Sequence, residues 1–156
     1  MNKRYELFTI CRTASHMEKA NSLGFALWVA MQSHSYYMFR LIDLRVWIEP
    51  AIHHNQIMFF FDIFDKPIGY IIWANLAPDV EKRFLNNPDF LLHESEWDEG
   101  NKTWILDCCF PFGGVRHAIC KLRKKLLLQN IRRVSWVRRN PDYSIKKVFV
   151  YEGREI

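Results

Sequence analysis

The stretch from residue 103 to 114, TWILDCCFPFGG, decides how this chain folds. Six apolar residues before Pro111 fall on both alternating sides of an extended chain: Trp104, Ile105, Leu106, Cys108, Cys109 and Phe110. A segment that is apolar on both sides is typical of a strand inside a sheet whose two faces are covered. We therefore predict a buried central strand here.

Asp107 is the charged residue in the middle of this predicted strand. An ionised carboxylate among buried apolar side chains is costly unless another group pairs with it. The sequence therefore predicts a partner for Asp107. Such a partner belongs either to a functional site or to a structural pair with an arginine or a backbone donor.

The strand is predicted to end at Pro111, after which Gly113 and Gly114 turn the chain into a helix. The apolar residues of this helix share one face: Val115, Ala118, Ile119, Leu122 and Leu126. Free backbone N–H groups at a helix start form an anion site, and glycine allows close approach. A carboxylate beside a phosphate-sized cradle predicts an active site.

The 156 residues, 49% of them hydrophobic, are predicted to form a single domain, with 1–21 as a loose N-terminal extension. The apolar run at 23–31 is too short to span a bilayer and has no cleavage site after it. Four cysteines without a recognisable spacing favour a reducing compartment. We therefore expect a cytoplasmic protein without stable membrane insertion.

Charge divides the chain into two unequal parts. Residues 1–100 contain nine Lys or Arg and thirteen Asp or Glu, whereas residues 101–156 contain thirteen basic and four acidic residues. Most of these cations are expected to be solvated surface groups. The basic excess of the last segment nevertheless suggests an acidic partner, either nucleic acid or an acidic carrier protein.

The remaining patterns predict two helices, a hairpin, a short helix, the central strand with its helix, and two final strands. The predicted ranges are 22–31 and 37–47 for the first helices, 56–63 and 68–74 for the hairpin, and 133–138 and 145–151 for the last strands. Ser22 or Asn21 is expected to cap the first helix, and the second is expected to break before Pro50. This order predicts an α+β fold of the N-acetyltransferase (GNAT) type, with a mixed, mostly antiparallel sheet flanked by helices.

Four segments resemble the RTX toxin-activating lysine acyltransferases: YIIWANL at 70–76, WILD at 104–107, PFG at 111–113 and RKK at 123–125. The resemblance runs from about residue 27 to the C-terminus. It implies a cytoplasmic enzyme with an acetyltransferase-like fold that moves a fatty acyl group from acyl carrier protein to internal lysines of a protoxin. The family's catalytic histidine and aspartate match His34 and Asp107, and an active-site tyrosine matches Tyr70.

The acyl donor implied by the resemblance is acyl carrier protein bearing a 4'-phosphopantetheine thioester, with no bound cofactor and no metal. In this fold the helix after the central strand takes the pantetheine phosphate, which assigns donor binding to Gly113, Gly114 and Arg116. Three cations are expected to dock the acidic carrier: Arg123, Lys124 and Lys125. The acceptor partner is a protoxin or a peptide rather than nucleic acid, and a homodimer is a further expectation.

The chemistry requires a base, because a lysine with an unperturbed pKa of ~10.4 is mostly charged at physiological pH. Histidine titrates close to that pH, so His34 is predicted to accept the proton of the amine. Asp107 is predicted to hold the imidazole in one tautomer. We expect direct transfer from the thioester, without an acylated residue on the protein.

The sequence also departs from the family. Ala30 and Met31 stand where it usually has a serine before the histidine, HSYYM at 34–38 replaces its H-R-x-W-P pattern, and its C-terminal helix is not expected because the chain stops at Ile156. The acceptor therefore stays open. Alternatives are an acyltransferase for a small peptide, a catalytically dead relative that binds only the carrier, and a basic nucleic-acid-binding domain.

Several residues have ordinary structural explanations. Tyr70 fits a core tyrosine as well as an active-site one. His53 and His54 lack further ligands at metal-binding spacing, so we expect solvent-facing loop histidines. Cys108 or Cys109 with a histidine would make a thiol nucleophile, but small buried hydrophobic residues are the favoured interpretation.

Overall fold

The structure is a computed structural model that describes residues 6–8 and 15–153. Within these residues six strands form one sheet in chain order: β1 (Glu6–Phe8), β2 (Ile57–Phe61), β3 (Pro67–Leu76), β4 (Lys102–Cys109), β5 (Arg133–Arg139) and β6 (Ile145–Glu152). The helices are α1 (His16–Met31), α2 (Leu41–Asp43), α3 (Glu49–His53), α4 (Pro78–Asn86) and α5 (Val115–Leu128). A π-helical turn occupies Leu44–Ile48 and a 3-10 turn Glu94–Trp97. None of these helices is long and apolar enough to cross a membrane.

The direction of the strands confirms the predicted fold class. Neighbouring strands are antiparallel except β4 and β5, which are parallel. The connection between these two is α5, since a parallel pair needs a crossover. The chain thus has an α+β fold with a mixed, mostly antiparallel sheet, and the arrangement is compatible with the N-acetyltransferase type.

The sheet opens between β4 and β5. These strands pair only where Thr103, Trp104 and Ile105 lie opposite residues 134–136. Beyond Ile105, β4 continues to Cys109 and β5 to Arg139 without further pairing to each other. Asp107 therefore lies on the β4 side of an opening in the sheet.

Helices cover the sheet on both faces, as predicted for a buried central strand. On one face the core brings α1 and α3 against β2, β3 and β4, with Val29, Ala51, Phe59, Tyr70, Ile72 and Trp104 among its buried residues. On the other face α5 packs against the sheet, with Met58, Ile71, Trp73, Ile105, Leu122 and Leu126. Trp104 and Ile105 thus contribute to opposite cores, which confirms the strand prediction.

A β-bulge in β4 determines where Asp107 points. Ile72 pairs with Asp107 and Trp73 with Ile105, so Leu106 is the extra residue. Such an insertion places two consecutive residues on one side of a strand. Leu106 and Asp107 therefore both face the α1 side, whereas strict alternation would have turned Asp107 towards α5.

The predicted start of the first helix was wrong. The N-cap of α1 is Ser15, whose hydroxyl accepts from the Glu18 N–H at 3.2 Å while the Glu18 carboxylate accepts from the Ser15 N–H at 2.7 Å. Ser22 lies inside α1 and donates its hydroxyl to the Glu18 carbonyl oxygen at 2.8 Å. This capping box satisfies two helix-start donors at once and so outcompetes a single serine further along. Residues 16–21 of the predicted extension belong to α1, and residues 1–5 and 9–14 lie outside the described residues.

The second predicted helix was wrong at both ends. The chain runs through turns before α2 starts at Leu41, and the helical path then continues past Pro50. The π-helical turn Leu44–Ile48 widens the helix before α3, so Pro50 falls in the first turn of α3. Pro50 thus stands where the hydrogen-bond pattern changes from π to α, and the first turn of an α-helix tolerates a proline.

Candidate active site

Asp107 is the centre of a small polar cluster at the opening of the sheet. It is half-buried, and its strand neighbour Cys109 lies opposite Tyr70 of β3 on the same face. The turns that follow α1, at residues 33–39, lie against this cluster. Two strands and one loop, far apart in the chain, therefore contribute side chains to one place.

The sequence predicted His34 as the partner of Asp107, but the side chain that donates a hydrogen bond to Asp107 is Tyr36. The Tyr36 hydroxyl donates a hydrogen bond to Asp107 Oδ1 and lies 3.5 Å from the carbonyl oxygen of Cys108. Its ring packs edge-on against Phe39 at a centroid distance of 4.9 Å. The 33–39 turn, which also contains His34, is thus fixed to β4 through this contact.

Burial controls the ionisation of the cluster. Desolvation raises the pKa of Asp107 to about 6, although the hydrogen bonds from the Tyr36 hydroxyl and the Cys108 backbone partly oppose this shift. Burial and the neighbouring Asp107 also raise the pKa of the Tyr36 phenol, which stays protonated as the donor. At neutral pH the arrangement is therefore a carboxylate that accepts from a neutral tyrosine.

Tyr70 is fully buried beside Asp107. Its hydroxyl has no hydrogen-bond partner that meets normal geometry among the described residues, and its pKa is raised by burial and by the charge of Asp107. A buried donor without a partner costs free energy, so such a group in a folded protein calls for an explanation. One explanation is a partner that arrives with a substrate.

His34 is exposed, and no hydrogen bond joins it to Asp107 among the described residues. It lies between two anchored residues of the turn, since the Ser33 side chain interacts with the Cys109 thiol and Tyr36 binds Asp107. The structure therefore brings Asp107 and Tyr70 together and leaves His34 at the rim. The catalytic roles of these three residues stay predictions.

The two adjacent cysteines lie on opposite sides of β4. Cys109 is part of the core on the α1 side, whereas Cys108 packs against the core on the α5 side. Burial and the nearby charge of Asp107 raise the pKa of the Cys108 thiol to about 11 and that of Cys109 to about 12. Neither thiol is therefore prepared as a thiolate nucleophile, because that role requires a lowered pKa.

The glycine turn leads into α5 as predicted. Gly113 has φ +82° and Gly114, the N-cap, has φ +98°, a region of backbone space that side chains with a Cβ rarely adopt. Among the described residues no side chain caps this helix start by a hydrogen bond, and Arg116 in its first turn is exposed. Donor binding by these residues stays a prediction.

The three cations predicted to dock a carrier protein have different environments. The Arg123 guanidinium stacks 3.0 Å from the ring centroid of Tyr151, and the Lys125 ammonium lies 5.1 Å from that of Trp73. Desolvation lowers the pKa of Lys125. Of the three, Lys124 is the exposed one, and so its charge is the best placed to meet another protein.

The WAN segment at 73–75 has a structural explanation. The Asn75 side chain donates to Asp98 Oδ1 at 2.6 Å and accepts from the Thr103 hydroxyl at 2.7 Å. The backbone carbonyl oxygen of Asn75 accepts from the N–H of Gly100. A Cβ at Gly100 would lie 1.9 Å from the Leu76 carbonyl oxygen, so only glycine fits there. Asn75 thus connects the loop that precedes β4 to β3 and β4, outside the Asp107 cluster.

The described residues contain no group of His, Cys, Asp and Glu suited to hold a metal ion. His53 lies 3.8 Å from Glu94, and the His54 ring stacks on Trp97 at a centroid distance of 6.4 Å.

Sequence reasoning missed Tyr36, although a signal existed. Asp107 needed a donor, and a buried tyrosine offers one on an apolar ring.

Comparison with known proteins identifies relatives of this chain. Residues 15–152 match the model of the RTX toxin acyltransferase family. The leukotoxin-activating lysine-acyltransferase LktC of a Pasteurella haemolytica-like species (strain 5943B) is 32% identical over 80% of this chain and 65% of its own length. The protein-lysine myristoyltransferase HlyC of Escherichia coli is 30% identical over 83% of this chain and 72% of its own. The serotype A1 LktC of Mannheimia haemolytica is 31% identical over 72% and 68%. This chain thus spans about two thirds of the length of these relatives.

Proposed function

This chain belongs to the RTX toxin acyltransferase family, and from that premise we propose that it transfers a fatty acyl group from acyl carrier protein to a lysine of a protoxin or of another exported polypeptide. The observation that carries the proposal is the position of Asp107. A carboxylate held by hydrogen bonds lies where the sheet opens between β4 and β5. In this proposal the opening admits the thioester to the carboxylate.

In this proposal the pantetheine arm enters between the two strands beyond Ile105. Its phosphate meets the N-terminus of α5, where the helix dipole and free N–H groups favour an anion. Gly113 and Gly114 leave room for close approach, and Arg116 adds a positive charge at an exposed position. The proposal requires no metal ion and no resident cofactor.

The reaction is nucleophilic attack by the lysine nitrogen on the thioester carbonyl carbon. The carbon–sulfur bond breaks as the amide bond forms, and the pantetheine thiol leaves with a proton. His34 accepts the proton of the amine, and the Asp107 carboxylate stabilises the resulting imidazolium. The location of His34 supports this pairing, because His34 lies on the turn that Tyr36 fixes to Asp107.

The tetrahedral intermediate carries an oxyanion that needs a hydrogen-bond donor. Tyr70 is our candidate, because its buried hydroxyl lies beside Asp107 and forms no hydrogen bond of normal geometry among the described residues.

Docking of the acidic carrier is assigned to the basic surface of α5, chiefly Lys124, with Arg123 and Lys125 beside it. A cytoplasmic location and a homodimer complete the proposal.

Co-expression of this protein with an RTX-type protoxin tests the proposal. Intact-mass spectrometry of the protoxin is expected to show an added fatty-acyl mass with the wild type and none with His34→Ala. His53→Ala is the matched control, because His53 is a partly exposed histidine at the end of α3 and is expected to retain activity. Unmodified protoxin with the wild type, or full acylation by His34→Ala, contradicts the proposal.

The donor and the order of the reaction are tested with purified components. Acyl carrier protein loaded with myristate is expected to support transfer, whereas myristoyl-coenzyme A at the same concentration is not. A covalent acyl-protein trapped after donor addition would contradict direct transfer. Carrier binding without any transfer would identify the chain as an inactive, carrier-binding member of the family.

A further inference from the structure

We infer that Tyr36 is a positioning residue for the reaction: its hydroxyl holds the Asp107 carboxylate in its charged form and fixes the His34 turn over the opening of the sheet. This inference rests on the proposed function. It concerns a residue of the segment HSYYM, in which this chain differs from the H-R-x-W-P pattern of the family it resembles. Tyr36 falls on the unspecified third position of that pattern, so the resemblance assigns it no role.

The geometry gives Tyr36 two connections. Through its hydroxyl it donates to Asp107 Oδ1, 71 residues further along the chain. Through its backbone it closes the turn, because its N–H donates to the Ser33 carbonyl oxygen at 3.1 Å and its carbonyl oxygen accepts from the Phe39 N–H at 2.9 Å. His34 lies inside that turn. A movement of Tyr36 therefore displaces both proposed catalytic residues relative to each other.

The surroundings of Asp107 leave few groups to support its charge. Tyr36 faces it from the turn, Tyr70 from β3 and the Cys109 thiol from its own strand, while Cys108 contributes a backbone hydrogen bond. Within the described residues Asp107 forms no salt bridge, so neutral donors provide the stabilisation. Only Tyr36 among these side chains donates a hydrogen bond to the carboxylate.

Removal of the Tyr36 hydroxyl therefore has a predictable sign. A hydrogen bond to a carboxylate favours the charged form, so its loss raises the pKa of Asp107. In Tyr36→Phe the acid limb of the pH–activity profile is expected to move to higher pH by roughly one to two units, the range of a hydrogen bond to a charged group. Activity at pH 7 falls accordingly, and recovers in part at higher pH.

The test compares Tyr36→Phe with Tyr37→Phe across pH 5 to 9 in the acylation assay. Tyr37 is the matched control, because it is the adjacent tyrosine, is 65% exposed, and forms no hydrogen bond through its side chain among the described residues. We expect the shifted acid limb in Tyr36→Phe alone. An acid limb at the wild-type pH, or an equal loss of activity at every pH, overturns the inference and leaves Tyr36 a merely structural residue.

A second measurement separates this inference from the proposed function. Carboxyl-carbon NMR titration of Asp107 reports its pKa without any turnover, in the wild type and in both variants. A higher Asp107 pKa in Tyr36→Phe only is the expected result, and equal values in all three proteins overturn the inference. A wild type that acylates nothing contradicts the proposed function, whereas the titration still decides whether Tyr36 supports the charge of Asp107.

Discussion

At the scale of the residue, two opposing effects meet at Asp107. Burial disfavours the charged carboxylate, and hydrogen bonds from the Tyr36 hydroxyl and the Cys108 backbone favour it. Burial has the larger effect, so the pKa of Asp107 is raised from 3.8 to about 6 rather than lowered. The folded protein therefore keeps this group charged at neutral pH at some cost to its stability.

The first prediction follows from that cost. Asp107→Asn retains an oxygen that can accept from Tyr36 but has no charge, so we expect acylation to fall by ~100-fold or more while the protein stays folded. The folded wild type binds a proton near pH 6, whereas the unfolded chain binds it near the ordinary value of 3.8. Wild-type stability relative to Asp107→Asn should thus increase as the pH falls from 7 to 4.5.

Urea unfolding of both proteins at the two pH values measures this difference directly. The wild type binds more protons when folded than when unfolded in this range, and this sets the sign. A stability difference that stays constant between pH 7 and 4.5 would show that Asp107 titrates normally. Full activity of Asp107→Asn would remove Asp107 from the proposed mechanism.

At the scale of the element, the start of α5 and the interior of α1 make opposite demands on glycine. Gly113 adopts φ +82° before α5, where any other residue is strained although there is space for a side chain. Gly24 lies within α1 and a Cβ added there would meet nothing within 4 Å. The same substitution should therefore have opposite effects at the two positions.

The second prediction is that Gly24→Ala stabilises the protein by about 0.5–1 kcal/mol, because glycine is a poor helix former. Gly113→Ala should destabilise it by about 1–2 kcal/mol, the usual cost of a left-handed conformation for a residue with a Cβ. Thermal unfolding of the two variants measures both signs. Destabilisation by Gly24→Ala would show that this part of α1 tolerates no side chain.

Helix α1 also shows how a local interaction determines where an element begins. Ser15 and Glu18 exchange hydrogen bonds at the start of α1, and the helix begins there rather than at Ser22. The second helix depends on a different feature, since the π-helical turn Leu44–Ile48 lets the chain pass Pro50 without a break. Propensity alone predicts neither outcome.

At the scale of the whole molecule, the uneven distribution of charge is the main feature. Residues 101–156 contain thirteen basic and four acidic residues, yet the structure distributes the cations over different environments. Arg123 and Lys125 lie against aromatic rings, whereas Lys124 is exposed. An acidic partner that approaches α5 would therefore meet Lys124 before its two neighbours.

The third prediction concerns this surface. Lys124→Glu should raise the KM for acyl carrier protein by roughly 5- to 10-fold with little effect on kcat, because charges at an interface rim act mainly on association. Lys82→Glu is the control, since Lys82 is an exposed lysine on α4 in the acidic part of the chain. Raising the salt concentration should raise the wild-type KM and reduce the difference between the wild type and Lys124→Glu.

Equal KM values for the wild type and both variants at low salt would show that the carrier docks elsewhere. A higher KM for Lys82→Glu but not for Lys124→Glu would place the docking surface on the α4 side. Either result leaves the Asp107 cluster unaffected, because the two lysines lie outside it.

By itself, the sequence determined the features that depend on local pattern. The run at 103–110 predicted a strand buried on both faces, the pair Gly113 and Gly114 predicted the start of α5, and short motifs indicated the family. Each of these signals lies within a few neighbouring residues, because hydrophobic period and glycine geometry act over that distance. The sequence also showed that Asp107 needed a partner.

Only the tertiary structure decided which partner that is. Tyr36 and Asp107 are 71 residues apart, and their contact depends on the bulge at Leu106 that turns the carboxylate towards α1. The burial of Lys125, whose ammonium lies near the ring of Trp73, is likewise a result of packing between distant segments. Such contacts produce no periodic pattern in the sequence, because they form only when the sheet and its helices pack together.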